Sequence, residues 1–279
     1  MIFRIYENYW KLWMVIPIIM LVLSLAVLLN NVATTGFILQ RDVELSGGKM
    51  ITLEVTGAID LGKIQEQMPG AVIHLTQGAT SSLLIQIPYD ADENAAIEKI
   101  SHIATIVGQP TVRSVGPVLG DLFWKQTQIA LMTAFLLMAI FVFILFRNPV
   151  ASSMVILAAT TDILATMAIL SILGVNLSLA VLGALLMIIG YSVDTNILLT
   201  STLLKSRKEE IPVRLASGVK TAITMLMTIM AALLAIFFVS GAFVLEQIAL
   251  VLIIGTLMDM PTTWLGNVGW LRWWMARKK

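Results

Sequence analysis

Cysteine is absent from the 279 residues, which excludes disulfides, thiolate metal sites and cysteine nucleophiles. Histidine is almost absent. His74 and His102 both fall in a polar stretch, so no HExxH-type metal helix exists, and a serine nucleophile inside an apolar run would lack its histidine base. No catalytic, metal or cofactor-binding constellation is expected. Charge is scarce as well: charged residues make up 13% of the chain, against about a quarter in soluble domains. Hydrophobic residues account for 58%, and mean hydropathy is +0.90. The net charge of +1 offers no basic surplus for nucleic acid. The chain reads as a polytopic membrane protein embedded in the lipid bilayer.

Six apolar stretches are long enough to cross about 30 Å of hydrocarbon as helices: 12–30, 126–146, 150–173, 178–204, 221–240 and 245–268. The first is span-length and lacks an A-x-A site, so it reads as an uncleaved anchor. With the N-terminus in the cytoplasm, the inner segments hold Arg4, Lys11, Arg147, Lys205, Arg207, Lys208, Arg214, Lys220, Arg272, Arg277, Lys278 and Lys279. The short outer loops 174–177 and 241–244 then hold no Lys or Arg, as the positive-inside rule requires. Trp10 and Trp13, with Trp270, Trp273 and Trp274, suit an inner interfacial belt. The expected order is a cytoplasmic N-terminus (1–11), span one (12–30), an extracytoplasmic domain (31–125), spans two to six (126–268) and a basic cytoplasmic C-terminus (269–279).

Segment 31–125 alternates strand and helix patterns. "KMITLEVTG", "AVIHLTQ", "SLLIQIP" and "TVRSVG" read as strands, and "IDLGKIQEQMPG" as a short helix. In "DENAAIEKISHIATIVG", Ala96, Ile100, Ile103 and Val107 recur at helical spacing behind an acidic first turn, which predicts an amphipathic helix with favourable dipole placement. The order β-α-β-β-α-β predicts an α+β ferredoxin-like domain. Gly47-Gly48 reads as a turn before the first strand, and Arg113 as a surface charge.

Three aspartates fall inside spans: Asp162, Asp194 and Asp259. Asp194 precedes Lys205 by eleven positions, which places it about 16 Å from the inner surface at 1.5 Å per residue. Ala158, Ala159, Ala165 and Thr166 share the helical face of Asp162 and would let another helix pack closely over it. Pro261 follows Asp259 and would free a backbone carbonyl nearby. Desolvation disfavours the ionised form of any carboxylate, so a carboxylate at this depth suits a proton relay. It would serve equally as a hydrogen-bonding link between helices, worth about 0.6–2 kcal/mol. Asp194 and Asp162 are the relay candidates, with Asp259 in support.

Taken together, these segments resemble the SecD/SecF family of protein-export membrane proteins, in the resistance–nodulation–division superfamily. "DVELSGGKMITLEV" resembles the family's Gly-Gly strand entry, "RSVGPVLGDLFWKQ" its SVGP motif, and "TTDILATMAI" its His-Asp stretch, with Asp162 on the aspartate. "ALLMIIGYSVDTNILL" resembles the span-four signature, with Asp194 and Thr195 on its Asp-Thr. "GVKTAITMLMT" resembles the family's Ser-Arg-Thr entry to span five, and "GTLMD" the Gly-Thr of span six. Val193 replaces a frequent Asn, Thr200 and Ser201 stand where the family has Asp-Arg, Thr161 replaces the histidine, and Lys220 falls on an arginine. These departures suggest an archaeal branch.

The resemblance implies a prokaryotic cytoplasmic membrane location and a heterodimer with SecD. It also implies work beside the SecYEG translocon on exported unfolded polypeptides, with the proton gradient as energy source and no cofactor. Asp194 and Asp162 would be the proton relay, supported by Thr195, Asp259 and Lys220. Two other readings stay open: a non-energising scaffold subunit, and a half-transporter of the efflux class. An intramembrane aspartyl protease is disfavoured by the contexts "TTD" and "YSVD".

Overall fold

The computed structural model describes residues 13–56, 61–68, 71–77, 81–205 and 211–277. The expected N-terminal segment 1–11, and Arg207, Lys208, Lys278 and Lys279, lie outside them. Among the described residues, six helical segments are long and apolar enough to cross a membrane, which makes the chain a multi-pass helical membrane protein. They are α1 (Val15–Thr35), α5 (Pro117–Phe146), α6 (Pro149–Ile172), α7 (Leu179–Lys205), α8 (Ile211–Val239) and α9 (Phe243–Pro261) with its continuation. That continuation is a π-helical turn, Thr262–Asn267, followed by α10, Val268–Arg277.

Local sequence explains the helix ends. Gly116 precedes Pro117 at the start of α5, and Asn148 caps α6 by accepting a hydrogen bond from the Val150 amide at 3.1 Å, with Pro149 in the first helical position. Proline suits that position because its missing N–H has no helical partner there. α5 ends where Arg147 turns left-handed, at φ 48°.

The span boundaries read from hydropathy shift in four places, one of them at α8, which begins at Ile211 rather than 221 because its first turns lie ahead of the apolar run. The first helix runs from Val15 to Thr35, five residues beyond the expected end. α5 begins at Pro117 rather than 126, because the cap, and not the onset of the apolar run, starts the helix. The C-terminus expected to begin at 269 is helical to Arg277, since Val268 and Leu271 remain buried against Ala151, Leu199 and Leu203.

α6 and α7 form the buried centre, each far more enclosed than α1, α5 or α8. Large apolar side chains such as Val22, Leu29, Ile129, Met132, Ile144, Met227 and Phe238 are exposed on those outer helices, as expected where the neighbour is lipid.

Between α1 and α5 lie α2 (Val43–Ser46), β1 (Gly48–Thr56), α3 (Leu61–Gln67), β2 (Val72–Gln77), β3 (Ser81–Ile87), α4 (Glu93–Ser101) and β4 (Thr105–Val115). The sheet order is β2-β3-β1-β4, with every pair antiparallel. Strand alternation sets its buried face: Ile51, Leu53 and Val55 of β1 lie beside Leu83, Ile85 and Ile87 of β3, under Ile64 of α3 and Ala96 and Ile100 of α4. α4 forms over the first half of its predicted stretch, with Asp92 accepting from the Asn94 amide at 2.9 Å, Glu93 in the first turn and Lys99 in the last. It ends at Ser101: Ile103 lies past it, and Val107 is exposed in β4, which begins at Thr105 because pairing with β1 extends that far.

The domain is fastened to the bundle by segment 39–48. The Asp42 amide donates to the Leu177 carbonyl at 2.9 Å, and the Leu177 amide to the Gln40 carbonyl at 2.7 Å. Glu44 accepts from the Leu179 amide at 3.1 Å, at the N-terminus of α7. A second contact stacks His74 of β2 on Phe243 of α9, with ring centroids 5.4 Å apart. The Gly47-Gly48 turn has a packing role: a Cβ built on Gly47 would fall 2.6 Å from the Pro117 Cα.

Candidate functional site

Polar side chains gather at the centre of the bundle, where α6, α7 and the end of α9 meet. Asp162 is 0% exposed. Its two carboxyl oxygens accept from different helices: Oδ2 from Ser192 Oγ at 2.5 Å, and Oδ1 from Thr262 Oγ1. Asp259 is 2% exposed, accepts from Thr263 Oγ1 at 2.7 Å, and lies within hydrogen-bonding reach of Asp162. The two aspartates, 97 positions apart in the chain, therefore form one carboxyl pair.

The polar chain continues toward the end of the bundle remote from the α/β domain. Asn196, one turn after Ser192, donates to the Ser192 carbonyl at 2.8 Å and approaches its hydroxyl at 3.3 Å. Asn267 Nδ2 in turn donates to Asn196 Oδ1 at 2.8 Å and to Thr200 Oγ1 at 2.9 Å. Thr195 is buried, donates to the Tyr191 carbonyl at 3.1 Å, and also lies within reach of Asp259. Spacings of four residues on α7 (Ser192, Asn196, Thr200) keep one polar face toward the pair.

The π-helical turn is what brings Thr262, Thr263 and Asn267 into this face. It begins directly after Pro261, whose ring obstructs the regular helical ladder, and π-turns inside helices concentrate at functional sites.

Asp194 stands elsewhere. It is exposed on α7, on the side away from the pair, in line with exposed Gly183, Met187 and Gly190. Nothing within 4 Å would meet a Cβ at Gly183 or Gly190. Lys220 is exposed on α8, and no ion pair joins it to Asp194 among the described residues. The five candidates thus divide into a buried group (Asp162, Asp259, Thr195) and two exposed residues (Asp194, Lys220). Asn267, Thr262 and Thr263 were not singled out from the sequence. Asn267 closes an apolar run, and the threonines follow a proline, which are weak signals.

The model of the family described as "Protein export membrane protein SecD/SecF, C-terminal" matches residues 96–277. The chain belongs to the SecD/SecF family. Its relatives include the protein-export membrane protein SecF of Methanothermobacter thermautotrophicus, 39% identical with 98% of this chain and 94% of the relative covered. SecF of Pyrococcus furiosus is 33% identical, with 96% and 92% covered. These are protein-export membrane proteins rather than enzymes, and this SecF-type chain is one of them.

Among solved structures, SecDF of Thermus thermophilus, a translocon-associated membrane protein, matches at a TM-score of 0.78 and 19% identity. The match covers 98% of this chain but 38% of that one. A heavy-metal efflux pump matches at a TM-score of 0.50 and 14% identity over 71% of this chain and 22% of that one, a likeness of fold alone.

Proposed function

We propose that the chain pairs with SecD beside the SecYEG translocon and uses the proton gradient to promote late-stage release of exported polypeptides, with Asp194 at the pairing face as proton carrier and Asp162 as a second relay group. The observation that carries this reading is the position of Asp194: a carboxylate near mid-span, on the exposed stripe of one of the two most enclosed helices of the bundle. An ionisable group facing lipid there is costly, whereas Gly190 and Gly183, about one and three turns before it on the same stripe, let a partner helix approach closely. The matching Thermus chain is much longer than this one, and a SecD-type half is the natural cover for the stripe.

In the same reading the α/β domain is ferredoxin-like, supported by its element order and by the strand order β2-β3-β1-β4. It faces the cell exterior, supported by the distribution of Lys and Arg. Moving one charge through 100 mV is worth about 2.3 kcal/mol, enough to bias a hinged domain between two orientations.

The test is gradient-dependent release of an exported protein from energised vesicles containing this chain and SecD, with Asp194 compared to Asp194→Asn. Loss of release with the pair still co-purifying supports the reading. Unchanged release overturns it and leaves a scaffold subunit.

A further inference from the structure

The buried pair offers a proton site that the partner-facing stripe does not. Asp162 and Asp259 lie within hydrogen-bonding reach of each other, and a carboxyl–carboxyl hydrogen bond exists only where one of the two carries a proton. Among the described residues, no ion pair joins a cation to them. α1, α6 and α9 contain no Lys or Arg among the described residues, Lys220 on α8 is exposed, and Arg272 and Arg277 belong to the last turns of α10. The other ionisable groups on the packed helices are Tyr191, which stands near Asp259, Asp194 on the opposite face of α7, Lys205 at the end of α7, Asp121 and Lys125, exposed near the start of α5, and Glu246 in the first turn of α9. Two adjacent unpaired carboxylates in low dielectric repel strongly.

A route to this site lies on its other side. A cavity of about 30 Å³ sits between α1, α6 and the π-turn, lined by residues that include Ala158, Thr161, Thr262, Gly266 and Asn267. Asn267 is 3% exposed, and its Oδ1 is buried without a partner, although its Nδ2 makes two hydrogen bonds. A cavity of this size accommodates a water molecule. Thr262, whose hydroxyl is bonded to Asp162, lines the same cavity, so a water held by Asn267 Oδ1 would lie beside a donor of the pair.

We propose that Asp162 and Asp259 form a proton-binding site inside this chain, holding one proton between them and taking up a second from a water bound at Asn267 in the α1–α6 crevice. Uptake converts the pair from a singly charged, hydrogen-bonded unit to two neutral carboxylic acids, and release to the same water returns it. This deepens the reading above by giving the carried proton a second address, fed from the end of the bundle remote from the α/β domain.

Infrared spectroscopy of the protein in lipid vesicles tests it without export. The wild type should show a protonated-carboxyl carbonyl band near neutral pH at the position of a carboxyl shared by hydrogen bonding, lost from that position in both Asp162→Asn and Asp259→Asn, where the remaining acid stands alone, and kept in Asp194→Asn. In deuterated water the band should shift, and Asn267→Leu, which leaves both carboxyls in place, should slow that exchange about tenfold, the size expected for one lost hydrogen bond. A band that survives both pair variants, one lost with Asp194 alone, or exchange untouched by Asn267→Leu overturns the proposal. Because release is not measured, a failed proton role for Asp194 in export leaves this result standing, and the reverse also holds.

Discussion

Asp42 shows how one side chain ties the outer domain to the bundle. It is 2% exposed, caps α2 by accepting from the Val43 amide at 2.8 Å, and sits in the strap whose backbone pairs with Leu177. Burial pushes its carboxyl up from 3.8 to about 6, against the pull of the Val43 amide and the Gln86 side chain and with added repulsion from Glu44. The folded chain thus holds this proton more tightly than the unfolded chain, so the stabilisation from Asp42 is complete below about pH 4 and is lost as pH rises through about 6. The displacement is worth up to about 3 kcal/mol. Thermal unfolding in detergent should show the wild type gaining stability on acidification across this window, and Asp42→Asn, which keeps a capping oxygen, should flatten that gain. Equal slopes for the two proteins would remove Asp42 from the account. Beside it, Gly47 adopts φ 80° with Pro117 close by. Gly47→Ala should cost about 1–3 kcal/mol, the usual range for overpacking, in the same unfolding measurement, whereas Gly174→Ala, also left-handed but in open space, should cost less.

At the level of elements, what could be read in advance depended on whether neighbours were near in sequence. Helices with long apolar runs, and strands with period-two alternation such as Ile51, Leu53 and Val55, carry their own signal. The facing of α7 carries none. Its polar residues, Ser192, Asp194, Thr195, Asn196 and Thr200, cover more than one face, so nothing in the run around Asp194 tells that this aspartate points outward while Ser192, two positions away, points at Asp162. The Asp162–Asp259 pair was equally hidden, because it depends on α6 packing against α9. Pro261 marked the site, but the π-turn that rotates Thr262 inward is a response to tertiary packing as much as to the proline. That turn makes a specific prediction. Thr262→Val keeps shape but removes the hydroxyl shared with Asp162, and should cost about 1–3 kcal/mol because a buried acceptor loses its donor. Thr160→Val, whose hydroxyl bonds back to the Ile156 carbonyl of its own helix at 2.7 Å, should cost under about 1 kcal/mol. Comparable losses by denaturant titration would mean that the threonine is not holding α9 to α6.

For the whole molecule, the bundle is closed on one side and open on another. α7 is enclosed by its neighbours except along the stripe Gly183, Met187, Gly190 and Asp194, and α6 except at Ser153, Leu157 and its outer end. The outer surfaces of α1, α5 and α8 instead carry scattered large apolar groups such as Leu29, Ile144 and Phe238, which lipid alone can solvate. These two kinds of exposed surface separate experimentally, because the chain has no native cysteine and a single introduced thiol reports its own surroundings. Met187→Cys on the stripe should react with a membrane-permeant maleimide when the chain is expressed alone and be protected, by about tenfold or more for a site desolvated at a packed core, when SecD is present. Met227→Cys on α8 should react equally in both states. Protection at Met227 without protection at Met187 would move the pairing face to α8, and Asp194 would then have to be explained within lipid. Protection at Met187 alone places the carboxylate of Asp194, about two turns away, at a helix–helix boundary. There a proton taken up on one chain is felt by the other, while the outer domain, clamped to the N-terminus of the same helix through Glu44 and Leu179, is positioned to respond.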